Sequence, residues 1–232
     1  MTLHDPVSIS LGYVGVYLVP AGDGCVLVDT GTPGSEQRIF AAMAKHGVAP
    51  EAIRLIFLTH AHGDHMGSAR AIAERTRAPV LASRREAPAI ERGQSLPPVG
   101  ITPFGRAFAW AMTKWRLGDL PAGCACPVDI MVDDERSLAD FGVAGRALHT
   151  PGHTAGSLSL LLDSGEAFVG DLAAKIPVVG GTYVPFFSDS DRATIHASWR
   201  RLLAAGATRI YPDHGPPFPA ADLRDELARS GG

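Results

Sequence analysis

The stretch Thr59-His60-Ala61-His62-Gly63-Asp64-His65-Met66-Gly67 sets three histidines and a carboxylate within six positions. His60 and His62 are two apart, so a regular helix would point them in divergent directions. A loop leaving a strand lets such neighbours converge on one point. Further along lie Thr150-Pro151-Gly152-His153-Thr154, Val169-Gly170-Asp171 and Pro212-Asp213-His214-Gly215, each placing a potential ligand after an apolar run. Together these pieces supply five histidines and two aspartates, Asp64 and Asp171, as potential ligands. Imidazole plus carboxylate suits zinc, and equally iron, manganese or cobalt, while the lack of Cys speaks against a zinc finger. Seven donors exceed one tetrahedral ion but suit two ions sharing a carboxylate. The plain alternative is a polar loop that happens to be rich in histidine. The downstream pieces weigh against it.

Positioning these groups falls to short apolar runs. Leu55-Ile56-Phe57-Leu58 reads as a buried strand ahead of the histidine loop. Val14–Pro20 and Cys25–Thr30 read as two strands joined at Asp23-Gly24. Ser35 reads as a helix cap before Ile39, Ala42, Met43 and His46, with Gly47 as the stop. Ala69–Arg75 reads as a helix and Pro79–Ala82 as a strand. Strands are expected near Asp129–Val132 and Arg146–His149. A hairpin follows through Asp163-Ser164-Gly165. Asp189 or Ser190 is expected to cap a helix bearing Ile195, Trp199, Leu202 and Leu203, closed by Gly206. Alternating strands and helices give the α/β class.

The residues 83–127 break this rhythm, with Pro97-Pro98 and Pro121 as interruptions. Inside them Phe104, Phe108, Ala111, Met112 and Trp115 recur at helical spacing. The segment is expected to be an insertion carrying one helix. It either packs on the core, or walls an apolar substrate pocket, or joins two copies in a homodimer.

The pattern H-x-H-x-D-H followed by separate His, Asp and His resembles the metallo-β-lactamase superfamily. That resemblance runs from Leu27-Val28-Asp29-Thr30-Gly31 to His214-Gly215-Pro216. It implies a four-layer αβ/βα sandwich formed by one domain over residues 1–232. It also implies that His60, His62 and His153 hold one metal, that Asp64, His65 and His214 hold a second, and that Asp171 bridges them. Asp29 matches a family position that orients the histidine loop by hydrogen bonds. His149, four before His153, is a candidate for a similar supporting role. Asp213 stands where relatives usually have Gly and brings an extra carboxylate near the second metal. Quorum-quenching lactonases of the superfamily place a tyrosine three residues after the bridging aspartate. Here that position is Ala174, and Tyr183 is the candidate to hydrogen-bond a substrate carbonyl.

Two divalent ions, Zn2+ foremost with Fe or Mn as alternatives, would lower the pKa of a bridging water toward ~7. Asp64 would orient the resulting hydroxide and move its proton. No G-x-S-x-G elbow competes with this scheme. The expected activity is hydrolysis of a small, partly apolar ester, lactone or thioester. A mononuclear iron oxidoreductase resembling persulfide dioxygenases is the alternative, and a phosphodiesterase lies further off. Intact ligands speak against an inactive binding protein.

Composition sets the outer bounds. Of 232 residues, 46% are hydrophobic and 19% charged, which suffices for a substantial core. A net charge of −3 implies no broad attraction to nucleic acid or membrane. No run is long and apolar enough for a membrane span. The N-terminus shows no signal-peptide pattern, and three cysteines suggest no disulfide framework, so a cytoplasmic location is expected.

Overall fold

The computed structural model describes residues 3–97, 99–100, 103–115, 120–175, 188 and 191–230. Tyr183 therefore lies outside the described residues, as do Asp189 and Ser190.

The first half forms a six-stranded sheet in sequential order. Its strands are β1 (Val7–Ser10), β2 (Gly15–Ala21), β3 (Gly24–Val28), β4 (Ile53–Phe57), β5 (Val80–Ser83) and β6 (Ile130–Val132). Strands β1 to β3 pair antiparallel, and β3 to β6 pair parallel. The second half forms another six-stranded sheet, again in sequential order. Its sheet holds β7 (Glu135–Ser137), β8 (Gly145–His149), β9 (Leu158–Leu162), β10 (Glu166–Gly170), β11 (Arg209–Pro212) and β12 (Phe218–Pro219). Only β10 and β11 run parallel there.

Alternating side chains on these strands explain the layering. Val16, Leu18, Cys25, Leu27 and Ile56 face outward onto α1 (Glu36–Lys45) and α3 (Ala69–Thr76), joining Ile39, Met43 and Ile72. Their neighbours Tyr17, Val19, Val26, Val28, Leu55 and Phe57 face inward. They meet Ala147, Leu158, Leu160 and Phe168 from the other sheet. Outside the second sheet, Leu161, Ala167 and Val169 pack on α6 (Arg192–Ala204) and α7 (Ala221–Arg229) through Ile195, Trp199, Leu223 and Leu227. Three apolar interfaces thus separate four layers, the αβ/βα sandwich.

Several local expectations shift by a few residues. The cap of α6 is Asp191, whose carboxylate accepts from the Thr194 amide at 2.9 Å. Ser35 occupies the cap position of α1 without capping through its side chain. Two short helices, α2 (Gly63–Met66) and α4 (Ala87–Glu91), break up stretches expected as loop. The insertion does carry a helix, α5 (Pro103–Lys114). Trp115, expected on its apolar stripe, is 63% exposed, and Trp110 is 61% exposed. No described helix is long and apolar enough to cross a membrane.

Candidate metal centre

The seven expected ligands converge at one end of the two sheets. His60 and His62 follow β4, and Asp64 and His65 lie on α2. His153 follows β8, Asp171 directly follows β10, and His214 follows β11. One group of donor atoms comes from His60, His62, His153 and Asp171 and another from Asp64, His65 and His214, each within 4.8 Å.

In the first group the Nε2 atoms of His60 and His153 lie 3.0 and 2.9 Å from His62 Nδ1. The His60 ring is fixed from behind. Its Nδ1–H faces Thr59 Oγ1 at 2.9 Å, and the Thr59 hydroxyl donates to Asp29 at 2.5 Å. That network leaves the His60 Nε2 lone pair aimed at the lone pairs of its neighbours, an arrangement that a cation relieves. Burial and the neighbouring His65 charge hold His60 well below the usual imidazole range. Burial and His153 bring His62 down to about 3. Neutral imidazole is the form that binds metal.

The second group is more strongly charged. His65 Nδ1 lies 2.9 Å from Asp29 Oδ2 and 3.1 Å from Asp213 Oδ2. His214 Nδ1–H donates to the Tyr13 carbonyl at 2.8 Å. Both rings thereby turn Nε2 toward Asp64 and Asp171. Burial works against charge on His214, but Asp171 and Asp64 outweigh it and raise its pKa to about 11. The same carboxylates hold His65 well above its usual value despite burial. Burial tends to raise Asp64, yet His65 and His214 bring it to about 2. Burial and the adjacent Asp29 push Asp213 well above the carboxylate range.

Asp171 sits between the groups. Its Oδ1 is 3.4 Å from His65 Nε2, and its Oδ2 is 3.5 Å from His153 Nε2 and 3.4 Å from His214 Nε2. These are ion-pair separations, too long for strong hydrogen bonds. Asp171 Oδ1 and His65 Nε2 are buried and lack hydrogen-bond partners among the described residues. Buried polar atoms of this kind require compensation. The donor set fits divalent metal.

Asp29 and Asp213 both lie against His65 Nδ1. His149 does not. Its Nε2 faces the Ala155 carbonyl at 2.9 Å, so it straps the loop beyond His153 and touches no ligand ring through that bond. Tyr13 was not evident in the sequence, where it reads as an ordinary turn aromatic. It is 66% exposed, and its ring stacks on His214 at 5.9 Å with 7° between the planes. Partial burial and the charge of Asp64 raise its phenol pKa. The insertion also reaches the motif. Ser95 Oγ accepts from the Gly63 amide at 3.0 Å, and the Leu96 amide donates to the Ala61 carbonyl at 2.9 Å.

A family description, the metallo-beta-lactamase superfamily, matches residues 10–214. The chain belongs to this superfamily. It is 28% identical over 92% of its length to a beta-lactamase-like protein 2 homolog of Caenorhabditis elegans, and spans 59% of that protein. It is 27% identical to a probable metallo-hydrolase of Burkholderia pseudomallei, covering 90% of this chain and 70% of that one. A protein solved in a di-iron-bound form superposes with a TM-score of 0.64 at 26% identity, covering 97% of this chain and 96% of that one. The B3 metallo-beta-lactamase BLEG-1 superposes with a TM-score of 0.70 at 20% identity, over 95% and 96% of the two chains. That last likeness shows the fold alone.

Proposed function

We propose that this superfamily member is a metal-dependent hydrolase with two divalent ions. Its substrate on this reading is a small, partly apolar ester, lactone or thioester. The observation that carries the reading is Asp171, whose two oxygens address His65 on one side and both His153 and His214 on the other. Bound there, the ions supply activation of water near neutral pH and polarisation of the scissile carbonyl. His60, His62 and His153 would hold one ion, Asp64, His65 and His214 the other, and Asp171 would serve both.

The remaining chemistry belongs to the protein. Asp64 is partly exposed at the site and carries its charge, so it can accept a hydrogen bond from the attacking water and orient it. Tyr13 offers an aromatic face and a phenol at the mouth, suited to holding an apolar acyl or ring substituent. Leu120, which abuts Gly63, adds an apolar wall from the insertion. Tyr183 remains a candidate donor to the substrate carbonyl.

Iron is a second reading for the metal, favoured by the relative solved in a di-iron-bound form. An oxidoreductase with a single iron is a separate alternative, which that two-iron relative does not favour. Metal analysis of protein purified without chelators separates these readings. Two equivalents of zinc, together with turnover of a lactone, ester or thioester panel, are expected. One equivalent of iron with oxygen-dependent turnover would replace the hydrolase.

A further inference from the structure

Glu86 lies among the arginines of Arg84-Arg85-Glu86, where a carboxylate ordinarily faces water. Here it is 4% exposed. It opens α4, and its backbone carbonyl accepts from the Ala89 and Ile90 amides at 2.9 and 3.1 Å. Ala87 and Ile90 are buried behind it, so its backbone is well anchored. The side chain then runs between two ligand-bearing loops. Oε2 accepts from the amide of Ala61, the residue between His60 and His62. Oε1 accepts from the Thr154 hydroxyl, next to His153, and from the Gly156 amide at 2.9 Å. Ser157 Oγ holds the same turn from the other side by accepting from the Thr154 amide at 3.0 Å.

Position 156 is fitted to this contact. A Cβ added there would stand 2.6 Å from Glu86 Cγ and 2.7 Å from its Oε1. Three donors converging on one buried carboxylate are costly to bury unless they serve one another. The same two segments also meet where the Leu158 amide donates to the Thr59 carbonyl at 2.8 Å, so Glu86 adds a side-chain clasp to a backbone one.

We propose that Glu86 is a positioning residue that locks the His60–His62 loop to the His153 loop and so sets the geometry of the three-histidine group. This assignment rests on the metal-centre reading above. Glu86 touches no ligand ring in these hydrogen bonds, and it acts through the backbone on either side of the rings.

Glu86→Gln is the informative change. It keeps the shape, but its amide group must turn N–H bonds either toward the Ala61 amide or toward the Gly156 amide. One clasp opens whichever way it faces. Metal-free wild type and variant are compared by amide hydrogen exchange, and both are titrated with Zn2+ and with Co2+ followed by its visible spectrum. Faster exchange at Ala61 or Gly156 is expected. One metal equivalent should weaken by about 10–100-fold with an altered cobalt spectrum, while the other is retained.

Unchanged affinity and spectrum in the variant would overturn the assignment, even if the melting temperature fell, because Glu86 would then be merely structural. Wild type that takes up no metal would instead sink the metal-centre reading, and this assignment with it. If Glu86→Gln does not fold, Gly156→Ala presses on the same clasp and is judged by the same readouts.

Discussion

Asp29 adopts φ 57°, a left-handed backbone that costs most residues about 1 kcal/mol or more and that Asp or Asn tolerates best. That conformation turns its carboxylate toward the Thr59 amide, the Thr59 hydroxyl and His65 together. Asp29→Asn keeps the backbone preference and removes the charge. Metal affinity measured by calorimetric titration is expected to fall about 10–100-fold. Asp64→Ala is expected to lower hydrolysis by about 100-fold or more while one metal equivalent remains; full turnover in that variant would end its assigned role. At this scale the sequence was legible where residue type and spacing carry the signal. The donor atoms His60, His62, Asp64, His65, His153, Asp171 and His214 were each marked by a run ending in an ionisable group, and they do converge. Glu86 and Tyr13 were not legible, because a glutamate beside two arginines and a tyrosine in a turn look like surface. Only the way the loops close reveals what those side chains touch.

The elements carry their own constraints. Gly170 ends β10 at φ 53°, and a Cβ there would stand 2.5 Å from Thr59 Oγ1. The strand that delivers Asp171 thus presses against the residue that fixes His60. Gly170→Ala is expected to cost about 1–3 kcal/mol in denaturant unfolding, and to disturb both ligand groups together. The exposed tryptophans of the insertion predict the opposite. Trp110→Ala and Trp115→Ala should each change stability by no more than about 0.5 kcal/mol, as measured by the same unfolding. If the insertion joins two copies, those variants shift the light-scattering mass from dimer to monomer. Strand positions were legible because apolar runs and Asp-Gly or Ser-Gly turns mark them plainly. The three-residue β7, the short α4 and the polar α7 were missed, since so few apolar residues leave no period to read. Exposure of Trp115 was hidden for another reason. Spacing defines a face but does not say what covers it.

For the whole molecule, the central apolar layer is shared. Tyr17 from β2 reaches across to the Pro212 carbonyl, and its ring meets Phe168 edge-on at 5.2 Å. Neither sheet can separate without exposing that layer, so calorimetry is expected to give a single transition over the described halves. Two independent transitions would argue for two domains. The sandwich itself was legible only through family resemblance, because strand order and pairing direction leave no repeat visible by eye. One consequence concerns time. His214 is anchored on Tyr13 across 201 positions of chain, and His65 on Asp213 across 148. Loop closure over such spans is slow compared with local pairing. The second group of donors is therefore expected to assemble late, and capture of an ion there would report that the two sheets have docked. An ion at this place would work as a latch on the docked sheets.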